Sequence, residues 1–279
     1  MAGVAPVTKN PRLSAADRAH ARYLVKNFED GVTQGASAHG EVPGNRWYTI
    51  DGDGAAHRSD IALRKVVLES PLDPVPDQIA DAAVDEWIAG PFHRVDLLDP
   101  SVTSVGWGSD REDYVSASVL EVQRNPRVRT AWRPNHARPV MFPAPGSQVS
   151  IGAFPGGEWP NPLAACDGYY APSGLPITIQ FGSRTSLRVG SHSLTADGAA
   201  VEHCVYDAVD YPSRGDAGET AAAVNALQKT GAVVIVPLDP MVEGRLYAVS
   251  IDVNGRHYGW TFRVTRPARD APPTTLSSD

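Results

Sequence analysis

The stretch from Trp87 to Gly108, WIAGPFHRVDLLDPSVTSVGWG, holds a histidine and its charged neighbours between two kinds of backbone. Trp87 and Ile88 close an apolar-periodic helix. Gly90-Pro91 stops it, because Pro91 disfavours helical geometry at the residue before it. His93 and Arg94 then fall in a turn, and Val102, Val105 and Trp107 alternate with small or polar residues as a strand does. A histidine so placed can ligate a metal or serve as a hydrogen-bonding post. Arg94 and Asp96 flank it and could anchor a substrate, although an ion pair fixing the turn is the simpler account. Other chemistries lack their patterns. Ser59 has no Gly-x-Ser-x-Gly elbow and reads as a helix N-cap. Asp51-Gly-Asp-Gly lacks the downstream glutamate of a calcium loop and reads as a turn. His203 and Cys204 are adjacent on an expected strand, so alternation sends them to opposite faces. No phosphate loop or dinucleotide fingerprint is present.

The elements that must position these residues follow from periodicity. Ala16, Ala19, Tyr23 and Leu24 recur at helical spacing behind Ser14 and Asp17, a capping pattern, and predict a helix to about Phe28 ended by Gly31. His20 sits near the apolar face of that helix and reads as a satisfied histidine. Thr33 to Gly54 reads as loop. Ser59 to Leu68 reads as a second helix, broken by Pro71, Pro74 and Pro76. A third starts near Pro76-Asp77 and carries Ile79, Ala83 and Trp87 on one face. Strands are expected around Val102–Trp107 and Tyr114–Val122.

A proline-rich stretch follows from Asn125 to Pro162, and the domain boundary is placed near residue 136. Beyond it the pattern is period two throughout. Ile177, Ile179 and Phe181 alternate, as do Val201, His203 and Val205, then Tyr247 to Val253 and Trp260 to Val264, with Asn254-Gly255 as a hairpin turn. Short strands with regular turn signals indicate a β-sandwich. Residues 268–279 read as a disordered polar tail.

At 279 residues the chain is long enough for two cores. A net charge of -7, with Lys and Arg scattered, argues against a nucleic-acid partner. No apolar run reaches the roughly 18 residues of a membrane span, so no transmembrane segment is expected. Cys166 and Cys204 are the two cysteines. Either they close one disulfide in a secreted protein, or they are inert thiols in a cytosolic one; the first is preferred.

The His93 segment, the Leu13-x6-His20 helix, His39, Trp87 and Val105-Gly106-Trp107-Gly108 together resemble the bacterial branch of the CAP superfamily. That superfamily includes cysteine-rich secretory, pathogenesis-related and venom-allergen proteins. The resemblance covers roughly residues 9–125. It implies a three-layer α-β-α sandwich (9–136) with a cleft of two histidines and two acids able to hold a divalent cation. His39 and His93 match the two histidines. The acids depart from the pattern: the family's Gly-Glu-Asn falls near Ala55-Ala56-His57, and the acid three residues after the helix tryptophan falls on Gly90. His57 is a possible third ligand, and Glu41 or Glu86 a possible acidic substitute. GGEWPNP at Gly156–Pro162, the Leu175–Phe181 strand, Pro237-Leu238-x-Pro240 and Trp260-x-Phe262 resemble the Ig-like domain that follows some bacterial CAP domains, implying a β-sandwich over 137–267.

The expectation is a secreted or cell-surface protein, its signal peptide removed, that is a non-enzymatic binding module. Its cleft, lined by His39, His57, His93 and Arg94, would take a small ligand, lipid or peptide, with a cell-surface partner also open. No cofactor is required. The competing expectation is a metal-assisted hydrolase of peptide or cell-wall material, in which His39, His57 and His93 hold zinc and Glu41 or Glu86 is the general base. A purely structural surface protein is the third.

Overall fold

The computed structural model describes residues 4–30, 33, 35–65, 76–125, 139–182, 186–212 and 216–265, with positions 30, 35 and 76–81 described by backbone alone. The expected boundary near 136, the tail and the side chain of Ile79 lie outside this description.

The N-terminal half is mixed α/β. Strand β1 (Thr8–Lys9) leads into α1 (Pro11–Lys26), then two 3₁₀ turns, α2 (Ile50–Ala56), β2 (Ser59–Lys65), α3 (Pro76–Ala89), α4 (Pro91–Leu97), β3 (Val102–Glu112) and β4 (Val115–Arg124). The sheet order is β1-β3-β4-β2, with only β1 and β3 parallel. Ile61 and Leu63 of β2, with Ala117 and Val119 of β4, pack on Leu24 and Val25 of α1. Ala62, Trp107 and Leu120 pack instead with Ala83 and Trp87 of α3. Helix α1 lies directly on β3: a Cβ on Gly108 would stand 2.1 Å from the backbone N of Arg18.

Several elements differ from the sequence expectation. Asn10, not Ser14, caps α1, its Oδ1 accepting from Arg12 N and Leu13 N. Ser14 is buried inside the helix, and its Oγ accepts from Trp107 N. The Asp51-Gly-Asp-Gly stretch is helix α2, capped by Thr49, with both aspartates in its first turn where the helix dipole favours them. Ser59–Lys65 is a strand, not a helix. Seven consecutive pairs with β4 hold it in the sheet, whose two buried faces override helical spacing. Pro91 begins α4 rather than only ending α3, so His93 and Arg94 sit on a short helix, not in a turn.

The C-terminal half is richer in strand. It runs β5 (Val140–Phe142), β6 (Gln148–Val149), β7 (Ala153–Phe154), β8 (Ser173–Gly174), β9 (Ile177–Gln180), β10 (Val189–Ala196), β11 (Ala199–Ala200) and β12 (His203–Tyr206), followed by α5 (Ala217–Thr230), β13 (Ala232–Pro237), β14 (Leu246–Val253) and β15 (Arg256–Val264). Two sheets, ordered β11-β10-β14-β15-β6 and β12-β13-β9-β5, enclose the largest core, with Ile177, Ile179 and Ile235 facing Val249, Ile251 and Phe262. Asn254 and Gly255 both take positive φ, as the hairpin between β14 and β15 requires.

Helix α5 interrupts the expected all-strand pattern. Asp216 caps it by accepting from Glu219 N. Its Ala223 and Leu227 pack against Val234 and Val236 of β13 together with Phe92 and Val95 of α4. One hydrophobic cluster therefore joins the two halves of the chain.

Candidate functional site

A cleft of about 330 Å³ opens between the end of α3, β2 and the segment after β7. Its walls include His39, His93, Glu86 and Lys65, the apolar Phe28, Ile61 and Leu63, and Gly157 and Trp159 from the C-terminal half. Thr33 also lines it, and its buried Oγ1 has no hydrogen-bond partner among the described residues.

His39 closes a 3₁₀ turn. Its Nδ1 lies 3.1 Å from the carbonyl of Ala56. A carbonyl only accepts, so Nδ1 carries the hydrogen and Nε2 holds the lone pair. Burial lowers the His39 pKa, the Ala56 hydrogen bond works against that, and His93, His20 and His57 lower it further. His39 is a neutral imidazole at pH 7.

His93 has the opposite habit. Glu158 Oε1 accepts from both its Nδ1 at 2.8 Å and its backbone N at 2.9 Å. Burial opposes the charged ring, but the hydrogen bond and charge of Glu158, with Asp60 and Glu86 behind, outweigh it and push the pKa up to about 9. His93 is therefore an imidazolium at pH 7. The Glu158 side chain is only 3% exposed, and its Oε2 has no partner among the described residues. It fills the space beside Gly90, where a Cβ would lie 2.6 Å from its Cδ. Any side chain at position 90 would expel it. Trp159, next along, faces His39 with ring centroids 6.1 Å apart.

The structure thus brings together His39, His93 and Glu86, and leaves the other expected residues elsewhere. Glu41 is buried and does not line the cleft: its Oε1 is 3.0 Å from His20 Nδ1, and its Oε2 accepts from Thr49 N. Both oxygens are engaged inside the N-terminal half, away from the cleft where a base would act. His57 also lies outside the cleft lining, with a largely exposed side chain 3.6 Å from Asp53. Arg94 is fully buried, donating to Ile88 O at 2.7 Å and Pro176 O at 2.6 Å, so it is a tie between the halves rather than a cleft residue. Asp96 pairs with Arg124 and Lys229. Ser59 caps nothing, its hydroxyl lying 2.9 Å from Ala55 O. Among the described residues no three His, Cys, Asp or Glu side chains gather as metal ligands. Cys166 and Cys204 form a disulfide that closes a span of 38 residues.

Glu158, Trp159, Lys65 and Thr33 were not expected in the site. The signal for the first two was present: GGEWPNP stood out as a motif, and Glu158 is its one acid. Periodicity cannot show that a segment some 65 residues after His93 returns to it.

Residues 1–121 match the model of the family described as CAP, the Cysteine-rich secretory protein family, which supports a CAP-superfamily domain in that part of the chain. No curated protein matches the chain. No described helix is long and apolar enough to cross a membrane.

Proposed function

Taking a CAP-superfamily domain in residues 1–121 as premise, we propose that this protein is an extracellular binding module whose cleft is completed by its own C-terminal half. In this reading the N-terminal half is the three-layer α-β-α sandwich of that superfamily (9–136). The C-terminal half (137–267) is an Ig-like sandwich elaborated by α5. The observation that carries the proposal is Glu158 seated on His93 in the space beside Gly90, with Trp159 across from His39. The acid that the resemblance expects at position 90 is replaced by one reaching in from the C-terminal half.

The cleft's size and charge favour a small ligand or the end of a peptide over a lipid. A volume of about 330 Å³ is at the low end of small-molecule sites. His93 as imidazolium and the Lys65 ammonium suit a carboxylate, the Trp159, Ile61 and Leu63 surfaces suit an apolar side chain, and Thr33 Oγ1, without a partner among the described residues, and His39 Nε2 offer hydrogen-bonding atoms. The test is titration of short peptides, with free or amidated C-termini, against the full chain and its Lys65→Ala and Trp159→Ala variants. Saturable binding that needs the free carboxylate and weakens in both variants is expected. Binding indifferent to both substitutions would overturn the reading.

One observation favours a hydrolytic alternative. A neutral His39 and a charged His93 in one cleft are the pair that a base and an acid require. Zinc at this cleft must displace the His93 proton, so affinity should be weak at neutral pH, rise as pH approaches 9 and level off above it. Calorimetry with zinc on metal-stripped protein checks this. Tight zinc binding at pH 7 that is lost in His39→Ala and His93→Ala would favour the metal-assisted hydrolase instead.

A further inference from the structure

We infer that His192 and His203 form a two-imidazole site for a divalent transition metal, copper(II) foremost, on the C-terminal half and separate from the cleft. The two histidines come from different sheets, His192 from β10 and His203 from β12. The register of β10 shifts between Val189 and His192, and a bulge of this kind re-aims the side chains beyond it. His192 thereby takes the side of β10 shared with the buried Leu194 and Ala196. His203 lies on the side of β12 shared with Val205, which packs against the same core, whereas Cys204 packs in the cluster on the other face. The imidazoles meet where the two sheets open at their edge.

His192 Nδ1 stands 3.0 Å from His203 Nε2, with the rings crossed at 74°. His203 Nδ1 is 2.7 Å from the carbonyl of Val201, so that nitrogen carries the hydrogen and Nε2 presents a lone pair in a fixed direction. A carbonyl holding the far nitrogen is the arrangement that orients histidine ligands in metal sites. The spacing is compatible with some ions more than others. Two nitrogens 3.0 Å apart, each about 2.0–2.1 Å from one metal, subtend roughly 90–100°. That angle fits cis positions of a tetragonal copper(II) or nickel(II) site, and is tight for tetrahedral zinc. Copper(II) also stands highest in the affinity order for nitrogen ligands.

Without metal, the pair is a hydrogen bond from His192 Nδ1–H to His203 Nε2, and ligation swings the exposed His192 ring off that line so that both lone pairs converge on the ion. Ligation moves that proton to His192 Nε2, an exchange of tautomers that releases no net proton and frees the Nδ1 lone pair. Among the described residues no third His, Cys, Asp or Glu joins the pair as a ligand, so water or buffer would complete the coordination.

The test uses the full chain, stripped of metal and titrated with copper(II) chloride at neutral pH. One equivalent should bind with micromolar or tighter affinity, with electron paramagnetic resonance showing coupling to two imidazole nitrogens. His192→Ala and His203→Ala should each weaken binding by about tenfold or more, while His257→Ala, at the exposed Asp252 pair, should not. Paramagnetic broadening of histidine ring signals in the unsubstituted protein gives a reading that does not depend on a variant folding. It should centre on His192 and His203. No saturable binding, broadening centred on other histidines, or unchanged affinity in both variants would overturn the site and leave a hydrogen bond alone.

Discussion

At the scale of residues, the cleft is defined by how its imidazoles differ. His39 is kept neutral by burial, while His93 is kept charged by Glu158 despite burial. The His93 pairing is a source of pH-dependent stability. A histidine whose folded pKa lies near 9, above an unfolded value of about 6.5, contributes stability that is full below pH 6.5 and lost as pH rises through 9. Asp17 acts in the same direction. Its pKa is raised to about 7 by burial and then by Glu121, so its cost to the folded state grows as pH rises from 4 to 7. Denaturant unfolding from pH 6 to 10 should show stability falling, and Glu158→Gln should flatten the upper part of that fall while lowering stability at pH 7 by about 2 kcal/mol. Arg94 makes a different prediction. Its guanidinium satisfies two carbonyls from opposite halves and lies over the Phe142 ring at 4.5 Å. Arg94→Ala should cost about 3 kcal/mol or more, read as a lower denaturation midpoint, because it strands those carbonyls and opens a void.

At the scale of elements, two local features hold the site's scaffold. Asn10 caps α1, and Asn10→Ala should cost about 1 kcal/mol in thermal unfolding. Gly108 lets α1 rest on β3, and Gly108→Ala should cost more than about 3 kcal/mol, since a Cβ there would meet the Arg18 backbone rather than a movable side chain. Much of this was legible in the sequence: α1, α3, the strands β3 and β4, the hairpin at Asn254-Gly255, and the alternating strands β9, β12, β14 and β15. What was not legible had physical reasons. Ser59–Lys65 has helix-compatible residues, but as an edge strand covered on both faces its state is set by β4. Pro91 both ends one helix and begins another, and local rules mark only the first role clearly. Helix α5 did carry a signal, Asp216-x-x-Glu219 ahead of an alanine-rich run, that strand alternation on either side obscured. Of the site, His39, His93 and Glu86 could be named from sequence; Glu158 could not, because its partner is fixed by tertiary contact alone.

At the scale of the whole molecule, the two halves are joined by chemistry as well as by chain. Phe92 and Val95 share a core with Leu227 and Tyr206, Gln180 donates to Val95 O at 2.8 Å, and Lys229 pairs with Asp96 at 2.9 Å. A fragment ending at residue 125 would expose that cluster and leave His93 without Glu158. It should bind a hydrophobic dye and show no cooperative melt. The Cys166–Cys204 bridge constrains the C-terminal half, and Cys204→Ser should lower its stability by about 2–4 kcal/mol. The cleft depends most heavily on the C-terminal half reaching into it, and the direct measurement is the pKa of His93 by nuclear magnetic resonance in the full chain and in Glu158→Gln. A value near 9 that falls to the ordinary histidine range or below in the variant is predicted. A value near 6.5 in both proteins would mean that Glu158 does not sit on His93, and would contradict a cleft built from both halves.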